Sequence, residues 1–241
     1  QQTFAALRYP NYRLWFLGQL VSLAGSWMQT AAQGFLVFEL TQSPAFLGYV
    51  GFAAGVPSWV FMLYGGVIAD RIPRRTIIAV AQAAMMVLAF LLAALVATGR
   101  VQPWHVVALA LLSGVANAFD APSRQAFVVE LVEREDLTNA IALNATMFNA
   151  AAVVGPAIAG VVYALLGPAW CFTLNGLSYL AVIAALLAMK LAPMPLQKHS
   201  GSTVDQLRQG FRYVVGEQVT RTLILNLGII SLFGISLVNL F

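Results

Sequence analysis

Residues 137–189 read LTNAIALNATMFNAAAVVGPAIAGVVYALLGPAWCFTLNGLSYLAVIAALLAM, fifty-three consecutive residues between Asp136 and Lys190 without a formal charge. A helical membrane crossing takes about 20 mainly apolar residues at about 1.5 Å each. The run therefore holds two crossings, divided at Gly167-Pro168. Outward from it the charges keep the same spacing. Uncharged runs of 25, 30, 24 and 19 residues lie between Arg13 and Glu39, Glu39 and Asp70, Arg75 and Arg100, and Arg100 and Asp120, and a last run of 20 follows Arg221. The expected spans are 14–38, 46–69, 76–98, 104–128, 138–166, 169–190 and 222–241: six complete helices and a partial seventh.

Composition agrees. Hydrophobic residues make up 60% of the 241 residues and charged ones 9%, with a mean hydropathy of +0.81. A soluble domain carries about 45–50% apolar and about 25% charged residues, so this chain is too poor in charge to cover a water-facing surface. The expectation is an all-α integral membrane protein. A membrane barrel is excluded because its strands alternate polar and apolar residues.

The basic residues set the orientation. With a cytoplasmic N-terminus, twelve of the thirteen Lys and Arg fall in inner segments and only Arg100 lies outside, a strong positive-inside pattern. The expected location is a cell (inner or plasma) membrane, crossed many times. The net charge of +4 then reports topology and calls for no nucleic-acid partner. The first apolar run is too long for a cleavable signal and lacks a small-residue cleavage site. The one cysteine, Cys171, lies in a span and can form no intramolecular disulfide.

Three segments follow. Residues 1–191 form a six-helix bundle. Residues 192–221 form a cytoplasmic linker opened by Pro193 and Pro195, with Val204, Leu207, Phe211 and Val214 at the spacing of an amphipathic helix. Residues 222–241 begin a second bundle. Within the first, Gly51, Gly55 and Pro57 in span 2 match Gly155, Pro156 and Gly160 in span 5. Spans 1–3 and 4–6 thus read as two copies, and because three crossings is an odd number the second copy enters from the opposite side, as in inverted-repeat transporters.

Two polar stripes stand out. Gln19, Ser22, Ser26, Gln29 and Gln33 are spaced 3, 4, 3 and 4 and so share one face of span 1. That face looks at protein or water, since lipid-facing amides are costly; it is either the wall of a substrate cavity or a hydrogen-bonded helix seam. In span 4, Ser113, Asn117, Asp120 and Arg124 are spaced 4, 3 and 4. A membrane aspartate costs about 2.5–3.5 kcal/mol on insertion scales unless paired, and Arg124 is one turn away. The pair serves either structure or proton handling. At about sixteen residues, or roughly 24 Å, from the outer end of its helix, it is expected in the inner third, near the loop between spans 2 and 3.

That loop reads Gly65-Gly66-Val67-Ile68-Ala69-Asp70-Arg71-Ile72-Pro73-Arg74-Arg75. The string resembles the G-x-x-x-D-R-x-G-R-R signature of the major facilitator superfamily, matching at Gly66, Asp70, Arg71, Arg74 and Arg75 and departing at Pro73, where the family usually has Gly. Gly155-Pro156-Ala157-Ile158-Ala159-Gly160 is similar to the family's antiporter motif G-P-x-x-G-G, with Ala159 in place of the first of the paired glycines. The whole chain resembles the drug, macrolide and siderophore exporter-like branch of the superfamily.

The resemblance implies the first half of a twelve-helix transporter that works by alternating access, with Asp70 and charges such as Asp120 and Arg124 helping to lock an inner gate. It implies a proton gradient as energy source, no cofactor and no metal. The partners it implies are a small-molecule substrate, the bilayer and a missing C-terminal six-helix bundle. The substrate cavity would be lined by Gln19, Ser22, Ser26, Gln29, Gln33 and Asn117. A neutral stripe beside Trp27, Phe52, Trp59, Met62, Met147 and Phe148 suits an amphipathic, multidrug-type cargo. Since the second bundle is absent, a truncated product is expected. The alternatives are a nutrient importer of the same superfamily or a non-transporting remnant. An enzyme or retinal pigment is disfavoured: span 7 has no lysine, and the chain has no Walker A loop, no H-E-x-x-H and no nucleophile elbow.

Overall fold

In an apolar surrounding every backbone N–H and C=O must bond within its own segment, so uncharged runs of this length become helices. A computed structural model of the chain describes residues 4–69 and 72–191, with positions 216, 217, 219, 221–223 and 226. It contains α1 (Pro10–Thr41), α2 (Pro44–Ala69), α3 (Arg74–Ala97), α4 (Pro103–Leu131), α5 (Leu137–Leu166) and α6 (Pro168–Ala188). Tight helical turns at Ala5–Arg8 and Arg134–Asp136 precede α1 and α5, and no strand occurs among the described residues. Prolines in the first turn start α1, α4 and α6, where a fixed φ and a missing N–H cost nothing. Gly167, at φ 87°, turns the chain from α5 into α6, a conformation that side chains resist.

Contacts divide the chain into two units, Gln1–Gln197 and Lys198–Phe241. In the second, the described positions include helical residues, and the Arg221 N–H donates to the Glu217 carbonyl at 3.0 Å. The amphipathic linker helix lies outside the described residues, as does most of span 222–241.

In the first unit the helix pairs obey a symmetry. α2 packs along α4 and α5 along α1; α1 packs along α6 and α4 along α3; α3 and α6 pack on each other. Exchanging α1–α3 for α4–α6 turns this set of pairs into itself, the pattern of two inverted three-helix copies. Among the described residues four helices are long and apolar enough to cross a membrane by length and composition: α3, α4, α6 and α5 with its preceding turn. α1, at 32 residues about 48 Å long, carries the polar stripe, and that stripe faces neighbouring helices.

The core is layered along the bundle. Tyr12, Trp15, Ile78, Phe127 and Leu186 form an apolar cluster at the end where α1 begins, hereafter the basic end. Met28, Leu36, Leu92, Val106 and Phe172 form another towards the opposite end, and the polar groups lie between. At the basic end the Ala6 N–H donates to Asn139 Oδ1 at 2.9 Å, and the Tyr12 hydroxyl donates to the Ala140 carbonyl at 2.9 Å. Arg8 donates to the Tyr9 hydroxyl at 2.9 Å and pairs with Asp136 at 2.6 Å. Both contacts hold its guanidinium above its ordinary range, the hydrogen bond to Tyr9 first.

Small residues set the closest helix approaches. A Cβ on Gly155 would meet the Ala24 carbonyl oxygen and the Met28 nitrogen, each at 2.9 Å, and one on Gly114 would meet the Ala54 carbonyl group. Nothing lies within 4 Å of a Cβ on Gly160, so of these two motif glycines it is Gly155 that sits at a tight crossing. Gly155→Ala and Gly114→Ala should each cost about 1–3 kcal/mol through overpacking. Gly160→Ala should leave the thermal unfolding midpoint of the detergent-solubilised protein unchanged. Equal midpoints for all three variants would contradict these crossings.

Candidate functional site: a buried polar layer

Asp120 sits on α4 with its side chain 1% exposed. Its Oδ2 faces Arg124 Nε at 2.7 Å, an i,i+4 ion pair on one helix face. Its Oδ1 accepts from Gln82 Nε2 of α3 at 3.2 Å. The Gln82 Oε1 in turn accepts from the Ser22 hydroxyl of α1 at 3.4 Å, and Arg124 Nη1 donates to Gln19 Oε1 of α1 at 3.2 Å. Five side chains thus tie α1, α3 and α4 together. Gln19, Ser22 and Gln82 are 1–3% exposed, so on α1 and α3 these bonds are shielded from solvent, and a low local dielectric strengthens them.

The rest of the α1 stripe turns to α6. Asn175 Nδ2 donates to Gln29 Oε1 at 2.7 Å and to the Tyr179 hydroxyl at 3.2 Å. Tyr179 shares a hydrogen with Ser26 Oγ across 3.4 Å, while Ser178 donates to Asn175 Oδ1 at 3.1 Å. Gln33 is buried towards the opposite end, and Asn117 is half-buried on α4. Of the two readings open for the stripe, the geometry within this six-helix unit is that of a hydrogen-bonded seam. Gln19, Ser22 and Gln33 are enclosed by helices and line no open wall here.

The two halves of the layer are counterparts. Ser22, Ser26, Gln29 and Gln33 each stand 91 residues before Ser113, Asn117, Asp120 and Arg124, with the same steps. The bond from Asn175 (α6) to Gln29 (α1) is therefore the counterpart of the bond from Gln82 (α3) to Asp120 (α4). One copy of the crossing is neutral and the other is charged.

Gln82 lies eight residues into the 24-residue α3, about 12 Å at helical rise, so Asp120 and Arg124 sit at the edge of the expected inner third, about two turns in from the start of α3. The charge that meets the start of α3 is Glu130, whose Oε1 pairs with Arg74 Nη1 at 2.5 Å. Arg74 Nη1 also donates to the Ala126 carbonyl at 3.4 Å. Of the gating motif, Gly66 lies in α2 and Arg75 in the first turn of α3, while Asp70 and Arg71 are outside the described residues. Pro73 caps α3, its carbonyl accepting from Thr76 N at 2.8 Å. Pro156 is inside α5.

Sequence reading missed Gln82, Asn175, Ser178, Tyr179 and Glu130. A signal existed for Gln82, the lone amide within an otherwise apolar α3, and for Asn175, Ser178 and Tyr179, which share one face of α6 at steps of three and one. Among the described residues Asp120 is the single acidic side chain between the two ends of the bundle, and no group of three His, Cys, Asp or Glu is placed to hold a metal ion.

The whole chain, residues 1–241, matches the family described as Transmembrane secretion effector. It is similar to the staphyloferrin A transporter of Staphylococcus aureus, 25% identical over 180 residues that cover 74% of this chain and 45% of the relative. It is similar to the enterobactin exporter EntS of Shigella boydii, 24% identical over 226 residues, 93% of this chain and 54% of the relative. Macrolide efflux protein A of Streptococcus pyogenes is 26% identical over 215 residues, 85% of this chain and 50% of the relative. The chain spans about half the length of the curated relatives it matches.

Exposure makes the two members of the ion pair unequal. Arg124 is 23% exposed and Asp120 1%, so Arg124→Gln strands a sealed carboxylate, whereas Asp120→Asn leaves a cation that reaches both Gln19 and the surface. Unfolding measurements should show Arg124→Gln losing about 3–5 kcal/mol, the cost of orphaning a buried charge, and Asp120→Asn losing less. The reverse order would contradict the geometry.

Proposed function

Since this chain belongs to the transmembrane secretion effector family, exporter-like members of the major facilitator superfamily, we propose that it forms the N-terminal half of a proton-coupled secondary exporter of amphipathic small molecules. The family and the relatives named above are transporters and not enzymes, and the chain is a multi-pass membrane protein. In this reading the six-helix unit rocks against a second bundle, opening a shared pathway to one side and then the other.

The observation that carries the reading is the way α2 and α5 sit in the unit. α5 is buried along one ridge, Leu143, Met147, Ala151, Gly155 and Ala159, which faces α1, and it exposes Val153, Val161 and Leu165 around the rest. Its symmetry counterpart α2 exposes Tyr49, Phe52 and Val60 in the same way. Two helices held by one face each leave apolar surface free for lipid and for a second bundle, which is the arrangement a two-bundle rocking carrier needs. The cargo class is read from the aromatic pairs between α1 and α5. Trp27 stacks edge-on with Phe148 at 5.6 Å and Phe35 with Tyr163 at 5.9 Å, while Thr146 and Asn149 are exposed nearby on α5. Aromatic faces interspersed with neutral hydrogen-bonding groups suit a bulky molecule with both apolar and polar parts. Macrolides and siderophores, the cargoes in the relatives' names, define the range to test.

Proton coupling is assigned to Asp120. In inside-out vesicles containing the full-length protein, an imposed acid interior should drive uptake of a radiolabelled macrolide, and a protonophore or Asp120→Asn should abolish it. Accumulation only with the opposite gradient would make the protein an importer, and no gradient-dependent flux for any macrolide or siderophore would leave a non-transporting half. A cytoplasmic N-terminus is tested separately. With Cys171→Ser as background, Arg100→Cys should react with an impermeant maleimide in intact cells and Arg134→Cys only after permeabilisation; the reverse labelling would invert the topology.

A further inference from the structure

We propose that Gln82 reads the proton on Asp120 and passes the change to α1, acting as a positioning residue between the two. The inference rests on the proton-coupled reading above and adds the component that converts a charge change into a change between helices.

The symmetry of the bundle supplies the first argument. At the counterpart crossing, Gln29 accepts from Asn175 at 2.7 Å with no charge involved, so a neutral side chain satisfies this position of the fold. A titratable carboxyl at the equivalent place on α4 adds what packing does not require.

Hydrogen-bond polarity supplies the second. An ionised carboxylate only accepts, which obliges Gln82 to present Nε2 to Asp120 Oδ1 and leaves Oε1 facing Ser22, whose hydroxyl must donate. The direction of the whole chain from α4 through α3 to α1 is thereby fixed by one negative charge. Oδ2 faces the Arg124 guanidinium, so a proton taken up from water settles on Oδ1, the oxygen facing Gln82. That oxygen then donates. The Gln82 amide turns over to accept with Oε1, and its Nε2 swings towards Ser22 Oγ. Ser22 must now accept, and its own hydrogen moves to a carbonyl one turn back on α1, the bond serines make inside helices. Losing the proton reverses every step. Because Gln82 and Ser22 are 1% and 3% exposed, no water absorbs the reversal and the neighbouring helix has to respond.

Among the described residues no other charge competes at this point. Arg124 is the charged neighbour on α4 itself. α1 presents Gln19 and Ser22, α3 presents Gln82, and α6 contributes the Tyr179 phenol. α5 and the described part of α2 carry no charged residue. Arg74 and Glu130 are engaged with each other at the basic end.

The test is a pH-induced infrared difference spectrum of the full-length protein in lipid, with isotope-labelled glutamine to mark the amide carbonyls. In the wild type a carboxyl C=O band and a glutamine amide band should titrate with one midpoint, and both should vanish in Asp120→Asn. Gln82→Leu should keep the carboxyl band and move its midpoint about one pH unit upward, because the charge-assisted bond lost by the ionised form outweighs the neutral bond lost by the protonated one. A carboxyl band that titrates while the glutamine band stays still overturns the proposal, as does an unshifted midpoint in Gln82→Leu or the absence of any titrating Asp120 band. Should Gln82→Leu fail to fold, the two wild-type bands decide. The spectrum needs no cargo, so it fails independently of the export reading. Coupled bands without macrolide flux keep the role of Gln82 and lose the export, and flux with uncoupled bands does the reverse.

Discussion

A single carboxyl group, sealed among helices about a third of the way along α3, imposes conditions on everything around it. Asp120 needs a counter-charge within reach, and α4 supplies it one turn on, at Arg124. It also needs a hydrogen-bond donor from a second helix, which brings α3 close enough for Gln82. Arg124 in turn needs an acceptor, which brings in α1 through Gln19. In water these contacts would be worth little; away from it, a partner missing from any of them is a penalty of several kcal/mol. Helices slide easily over apolar neighbours, so the apolar clusters on either side of the layer say little about register. The polar layer specifies it.

The two inverted copies show how one architecture carries two functions. Each crosses its partner helices at close approaches between small residues, Gly155 on Ala24 in one case and Gly114 on Ala54 in the other. Each then places a polar row on its leading helix against an amide from the third helix of the other copy. The crossing of Gln29 and Asn175 is neutral. The crossing of Asp120 and Gln82 carries an acid. A change at two or three side chains, with the backbone scheme retained, separates them.

Much of this was legible in the residue order. Helices α1 to α6 run close to the expected spans because charge spacing in a membrane chain is a direct record of thickness. The ion pair of Asp120 and Arg124 was readable because i,i+4 spacing on a helix fixes which side chains meet. Depth was read less finely. Counting from the end of α4 placed the pair in the inner third near the loop before α3, and it sits at the edge of that third, since a count along one helix ignores where its neighbours start. The role of the α1 stripe was also open in the sequence. Ser and Gln at helical spacing satisfy a wet wall and a dry seam equally well, and only the positions of Asn175, Tyr179 and Gln82 on other helices decide between them. Glu130 was overlooked because a glutamate near a helix end looks like ordinary surface charge until Arg74 is seen beside it.

The fastening at the start of the chain has a consequence for biogenesis. Ala6, Tyr9 and Tyr12 bond to Asn139, Asp136 and Ala140, groups that the ribosome makes more than 120 residues later. α1 therefore leaves the translocon without these anchors and waits while three more helices are threaded. Only when α5 begins to insert does the leading segment find its place, so the first part of the polypeptide to be synthesised is fixed after the three helices that follow it have been threaded.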